Sequence, residues 1–278
     1  MDWPGVQSDL KSSSTWRHRW KLRYSRRIKF NAVGSLVPYL KLENGSYFGG
    51  KNGGGVVHSI AREVPRHEVK VCGFLGRCAL MRYLRPAALN VGFDLAAGII
   101  ADFCEASARY DADGAKKFHF HNADFLKADL SVFDHPKAFF YLDPPYLHST
   151  RLSSKRYDFE LSDDQHCQLL DIASHLSAMV AISCYDSPLY SKRLKGWRKT
   201  QFLSMTRSGE MALETIYMNY PKPDAFNIHD ATFYGENFRE REKGKRRVDT
   251  LYSKMNRLTP SEKAFFLQSF PFWLDSLE

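Results

Sequence analysis

The residues of this chain that could do chemistry gather in Asp143-Pro144-Pro145-Tyr146, which closes the apolar run Phe139-Phe140-Tyr141-Leu142. An uninterrupted apolar run of this kind reads as a strand of a parallel sheet, buried on both faces. Its polar end then lies at the edge where open α/β sheets bind ligands. Two successive prolines remove backbone donors, so the Asp143 carboxylate and the neighbouring carbonyls form a cluster of acceptors. An exocyclic amine offers the two matching donors. Tyr146 adds a flat face on which a base turned out of a helix can stack, a role that needs the ring and not the hydroxyl. Taken alone, the segment also fits a strand followed by a Pro-Pro turn and a half-buried tyrosine, so its meaning depends on its context.

Three further segments supply that context. Tyr47-Phe48-Gly49-Gly50-Lys51 pairs glycines that admit a ligand close to the backbone with a positive charge, although by itself it is equally a flexible turn. Gly73-Phe74-Leu75-Gly76-Arg77-Cys78 follows an apolar strand and opens a helix, which places backbone amides where a ligand can meet them. The next strand ends at Asp94, an acid suited to accept hydrogen bonds from ribose hydroxyls, and the one after it ends in Asn122-Ala123-Asp124-Phe125. Here Asp124 can accept from an adenine amino group while Phe125 lies beside the ring. Asp94, Asp124 and Asp143 thus fall at successive strand ends on one carboxyl edge.

The elements that must hold these residues alternate along the chain. Strands are expected near 69–74, 90–94, 118–122, 138–142, 178–184, 200–205 and 212–219, and helices over 54–63, 77–85, 95–109, 162–176 and 187–195. Ser162, followed by Asp163, Asp164 and Gln165, is a helix start with a capping residue and acids in the first turn. The pattern is that of an α/β protein. Residues 1–45 form a basic N-terminal segment in which Arg17, Arg19, Lys21, Arg23, Arg26, Arg27 and Lys29 alternate with Trp16, Trp20, Tyr24 and Phe30. It reads either as a strip for a phosphate backbone or as a disordered leader. Residues 46–220 form the catalytic domain. From 221 to 278, Pro221 and Pro223 mark a linker, a charged run from Phe238 to Arg247 reads as a helix, and Thr259-Pro260-Ser261-Glu262 caps a second one. The expected form of this appendage is a helical hairpin, either solvated or serving as a nucleic-acid arm.

Composition narrows the partners. With 278 residues, 44% of them hydrophobic, the chain can bury one good-sized core, and its formal charge of +9 favours a polyanion over a small acid. Five cysteines without a Cys-x-x-Cys pair argue against a disulfide framework and against zinc, and for reduced thiols in a cytoplasmic protein. No run approaches the roughly 20 apolar residues of a membrane span, so neither metal nor membrane is expected.

Together these motifs resemble the Dam-type DNA adenine N6-methyltransferases, above all the short forms of phages and prophages, over about residues 47–220. Tyr47, Gly50 and Lys51 resemble the family's segment near the methionine end of S-adenosylmethionine, Phe74 and Gly76 its glycine motif, Asp94 its ribose-binding acid, Asp124 and Phe125 its cofactor-adenine contact, and Asp143, Pro144, Pro145 and Tyr146 its catalytic motif. Leu147-His148-Ser149-Thr150-Arg151, Tyr157, His166, Ser183-Cys184-Tyr185, and Glu214-Thr215 leading to Asn219 are further matches. Cys72, Gly73, Arg77 and Cys78 depart from the family's glycine motif. The departures imply weakened cofactor binding, through Arg77 or Cys78 intruding on the turn.

The resemblance implies a Rossmann-like methyltransferase sheet, mostly parallel with an antiparallel last strand, helices on both faces and a C-terminal helical appendage. It implies methyl transfer from S-adenosylmethionine to adenine N6 of a base flipped out of duplex DNA, with site-specific or relaxed specificity and a role such as restriction-modification. Only 65 positions separate Cys78 from Asp143, which leaves no room for a separate reading domain. DNA contacts then fall to Arg151, Lys155, Arg156 and Tyr157 in the loop after the catalytic motif. The rival readings are methylation of RNA or of a protein glutamine by the same acceptor geometry, and a DNA-binding protein that has lost catalysis.

Overall fold

The computed structural model describes residues 38–43, 55–110, 117–150, 159–205, 211–235 and 237–275. The chain divides after Pro38 into two units, and the second, Tyr39–Glu278, carries the sheet. Its seven strands are β1 (Val69–Cys72), β2 (Leu89–Asp94), β3 (Lys117–Asn122), β4 (Ala138–Leu142), β5 (Met179–Tyr185), β6 (Arg198–Met205) and β7 (Met211–Met218). They form one sheet in the order β3-β2-β1-β4-β5-β7-β6. β1 to β5 run parallel, and β7 lies antiparallel to both β5 and β6. This is the Rossmann-like sheet expected from the sequence, mostly parallel with an antiparallel last strand.

Seven α-helices accompany these strands among the described residues: α1 (Val56–Ala61), α2 (Ala79–Tyr83), α3 (Ala97–Tyr110), α4 (Asp163–His175), α5 (Pro188–Arg193), α6 (Phe238–Asn256) and α7 (Pro260–Asp275). Leu169, Leu170 and Ala173 of α4 and Tyr190 of α5 pack with Phe140, Leu142, Val180 and Ile182 on one face of the sheet. On the other face Phe103 of α3 meets Phe120 at 5.2 Å, and the buried Lys70 donates its Nζ to the Leu80 carbonyl of α2 at 3.4 Å. Covering both faces explains why all five residues of β4 are buried. The α4 start is a full capping box: Ser162 Oγ accepts from the Gln165 amide, and the Gln165 side chain accepts from the Ser162 amide.

One register row fixes the site. Phe120, Gly92, Cys72, Tyr141, Ala181 and Met218 are aligned across six strands. Two residues beyond that row, on one face of the pleat, come Asn122, Asp94, Asp143 and Ser183.

The expected linker after β7 is instead part of the body. Arg66 N donates to Asn227 O at 2.6 Å, His229 N to Val64 O at 3.0 Å, and Pro65 bridges Ile228. Asp230 accepts from the Arg85 amide, and Phe233 is buried against His58. The free-standing part therefore begins with α6. Nor do α6 and α7 bury a shared seam: Val248, Leu251, Tyr252, Phe265, Leu267, Phe272 and Trp273 are exposed, so the two helices succeed one another without forming the packed hairpin expected.

His67 lies buried between Phe139, at 5.1 Å, and His229, stacked at 3.7 Å. Burial, then the neighbouring His229, holds its pKa well below the ordinary imidazole range. His58 is likewise lowered to about 4, by burial and by Arg241. Both groups bind fewer protons folded than unfolded, so their contribution is complete above the unfolded value of about 6.5 and is lost as pH falls below it. Denaturant melts should show stability dropping from pH 7 to pH 5, with a flatter acid limb in a His58→Gln, His67→Phe variant. Equal slopes in both proteins would remove these histidines from the account.

Candidate active site

The strand order reverses between β1 and β4: the chain proceeds from β1 to β2 and β3 on one side, then to β4 and β5 on the other. Ligands of open α/β sheets bind beyond the carboxyl ends of the strands at such a point. The Gly73–Cys78 turn leaves β1 on one side of this crevice, and Asp143 leaves β4 on the other.

Backbone hydrogen bonds hold the turn to both neighbouring strands. Gly73 N donates to Tyr141 O at 3.2 Å and Leu75 N to Phe93 O at 2.8 Å. Gly76, at φ +43°, points its amide at Asp94 Oδ2, 2.7 Å away, while Asp94 Oδ1 accepts from the Ala96 amide at 2.8 Å. Asp94 thus ties the turn to the start of α3 and still has acceptor capacity for a ligand. Gly73 is required by crowding: a Cβ there would lie 2.7 Å from Leu142 Cδ2 and 2.9 Å from Phe125 Cδ2.

The departures in the glycine motif turn out to be built into the packing. Arg77 does not cross the turn. Its Nη2 lies 3.2 Å from Asp102 Oδ2 on α3, with the two side chains only 11% and 19% exposed. Cys78 caps α2, its Sγ accepting from the Met81 amide at 3.4 Å, and it lies 3.3 Å from Cys72 Sγ. That contact, together with burial, pushes the Cys72 thiol well above its ordinary range.

Asp124 is engaged locally. Its Oδ1 accepts from the Leu126 amide at 3.0 Å and caps the short 3-10 helix Phe125–Lys127, while Oδ2 lies 3.4 Å from Lys127 Nζ. Phe125 is buried between Phe74 and Phe93, with ring centroids at 5.8 and 5.7 Å, and so forms part of the core wall beneath the edge.

Asp143 is partly buried, Pro144 is buried, and Tyr146 is 9% exposed. The tyrosine ring meets Tyr185 edge-on at 4.6 Å. Its hydroxyl donates to Glu214 Oε2 at 2.5 Å and lies 3.2 Å from Ser183 Oγ, while Ser204 Oγ donates to Glu214 Oε1 at 3.2 Å. This differs from the sequence expectation that the ring alone matters, because the phenol is the donor for a buried carboxylate. Burial, and next the Asp143 charge, push both the Tyr141 and Tyr146 phenols well above the ordinary range, so neither ionises at neutral pH.

Asp94, Gly76, Phe74, Asp143, Pro144, Pro145 and Tyr146 therefore meet around one edge, with Asp124 and Phe125 on its flank. Tyr47, Gly50 and Lys51, and Arg151, Lys155, Arg156 and Tyr157, lie outside the described residues, as does the basic run from Arg17 to Lys29. The sequence matches at Ser183 and Glu214 give no indication of the network these residues form with Ser204 behind Tyr146. The signal that could have revealed it is a serine or glutamate at a buried position inside an otherwise apolar strand.

No protein-family model and no curated protein matches the chain. Among solved structures it is similar to a conserved hypothetical protein of Streptococcus pyogenes, at 15% identity and TM-score 0.41, covering 60% of this chain and 94% of that one. It is also similar to an rRNA methylase of Streptococcus thermophilus, at 13% identity and TM-score 0.38, over 58% and 92% of the two chains. A third is the magnesium protoporphyrin IX methyltransferase of Synechocystis with bound S-adenosylmethionine, at 13% identity and TM-score 0.40, over 74% and 92%.

The Tyr146 to Glu214 bond generates a test. Tyr146→Phe removes the donor and should cost about 1–3 kcal/mol in urea melts. Glu214→Gln should cost less, since its amide oxygen still accepts from the phenol. A Tyr146→Phe protein as stable as wild type would show that the hydroxyl is not used.

Proposed function

We propose that this chain is an S-adenosylmethionine-dependent methyltransferase that modifies adenine N6 of a base flipped out of duplex DNA. The observation that carries this reading is the position of Asp143-Pro144-Pro145-Tyr146 at the switch point, directly across from the Gly73–Cys78 turn and Asp94. Asp94 and Asp143 end strands two apart in the sheet, about 10 Å at the usual inter-strand spacing. An amine held by one and a cofactor held by the other would meet between them.

The residues present fit that cofactor. Asp94 would take the ribose hydroxyls, the left-handed Gly76 allows the backbone to come close, and Phe74 and Asp124 flank the adenine side, with Tyr47, Gly50 and Lys51 assigned to the methionine end. S-adenosylmethionine supplies an electrophilic methyl group on a sulfonium. The chain's own part is to present the nucleophile. The Asp143 carboxylate and the Pro144 carbonyl accept the two N6 hydrogens, which turns the nitrogen lone pair out of conjugation and away from them. Positive charge that develops on N6 is stabilised by the same carboxylate, and the surplus proton leaves through it to solvent. Tyr146 offsets part of the few kcal/mol of base extrusion by stacking, and Glu214 fixes its ring. Arg151, Lys155, Arg156 and Tyr157 are the proposed DNA contacts.

The test is transfer of a radiolabelled methyl group to duplex DNA, structured RNA and a glutamine-bearing peptide in parallel. Label on adenine N6 of DNA, lost in Asp143→Ala with duplex binding retained, is the expected result. Label on RNA or peptide alone would replace the substrate, and more than a few per cent of activity in Asp143→Ala would remove the proposed role of that carboxylate.

A further inference from the structure

Helix α6 carries a surface that the reading of the active site does not use. At 100° per residue, Arg239, Lys243, Arg246, Arg247 and Lys254 fall within a sector of roughly 100°, together with Thr250. All five cations are exposed, and the acids of the helix, Glu240, Glu242 and Asp249, lie outside the sector. Arg239, Lys243, Arg246, Arg247 and Thr250 line an open cleft along this face, with Phe238 and the single acid Glu242 at its border. The apolar residues Val248, Tyr252 and Met255 occupy the opposite side, with Leu251 on the flank between. At its start the helix is held to the body, where Arg241 Nη1 donates to Gly235 O at 3.3 Å, and beyond that it buries none of its residues.

Like charge extended over about 22 Å of rigid helix matches the spacing of a polyanion, about six phosphates of one duplex strand. A lipid surface is the poorer match. A helix lying in a bilayer interface needs an apolar face along its length to embed, and the stretch from Arg239 to Arg247, which holds four of the five cations, carries no apolar residue. We propose that the basic face of α6 docks on the phosphate backbone of the duplex DNA whose adenine the active site takes. The inference rests on the DNA reading above and assigns to the C-terminal arm the sequence-independent part of binding.

The experiment uses the full chain and a fluorescent 30-base-pair duplex, with affinity measured by anisotropy over a series of salt concentrations. Replacing Arg239, Lys243, Arg246, Arg247 and Lys254 by Gln should reduce the slope of log affinity against log salt by about 2.7 or more, the value for three lost phosphate contacts. A control with Lys117, Lys137, Lys192, Lys195 and Lys222 replaced by Gln, equal in charge, should leave the slope near wild type. Circular dichroism verifies that both variants keep their helices. An unchanged slope, or an equal loss in the control, overturns the proposal, as does stripe-dependent binding to phosphatidylserine vesicles without a change on DNA. If the wild type shows the stripe-dependent slope on DNA yet transfers methyl only to RNA or peptide, the docking surface stands and the reading of the reaction fails.

Discussion

Parallel strands deliver all their carboxyl ends to one edge, and the candidate site depends on that constraint. Because Gly92, Cys72, Tyr141 and Ala181 share a register row, the residues two positions further on arrive together without any long-range folding of loops. Asp94 and Asp143 are then separated by strand spacing alone. The reversal of strand order between β1 and β4 opens the crevice between them, and the Asp94 carboxylate, bonded to Gly76 and Ala96, keeps the two loops on its side in place.

A second layer of constraint lies behind Asp143-Pro144-Pro145-Tyr146. Tyr146 and Glu214 are contributed by parts of the chain 68 residues apart, and they meet because β7 inserts antiparallel beside β5 and sets Glu214 opposite Tyr185. Asn219 secures that insertion: it accepts from the Val180 amide at 2.7 Å and donates to Ala178 O at 2.9 Å, closing the amino end of β5. A polar network in a low-dielectric interior is worth most when every member is partnered. An antiparallel last strand is therefore a means of placing a buried carboxylate behind the tyrosine as well as a way to extend the sheet.

Much of this was legible in the sequence because the signals were local. Apolar runs such as Phe139–Leu142, and apolar residues alternating with polar ones as in Lys117–Asn122, located the seven strands, and Ser162-Asp163-Asp164-Gln165 located the start of α4. What was not legible depended on tertiary partners. Nothing in Arg77-Cys78 reveals that Asp102 draws the arginine onto α3 or that the cysteine caps α2, so substitutions that read as intrusions are packing solutions. Pro221 and Pro223 do suggest a linker, yet Ile228 and His229 are recruited by the segment around Pro65, a contact more than 150 residues distant. Lys70, inside the apolar strand Val69–Cys72, is wholly buried and bonded to the Leu80 carbonyl, which its place in the sequence gives no means of foreseeing.

The central claim is that the edge between the Gly73–Cys78 turn and Asp143 is a methyl-donor site organised by Asp94. Isothermal titration of S-adenosylmethionine into the full chain tests it most directly, with Asp94→Ala as the paired variant. The account predicts one site per chain, weakened roughly 10- to 100-fold in the variant, the range for losing one or two hydrogen bonds to a charged group. No heat of binding in the wild type, or equal affinity in the two proteins, would contradict it.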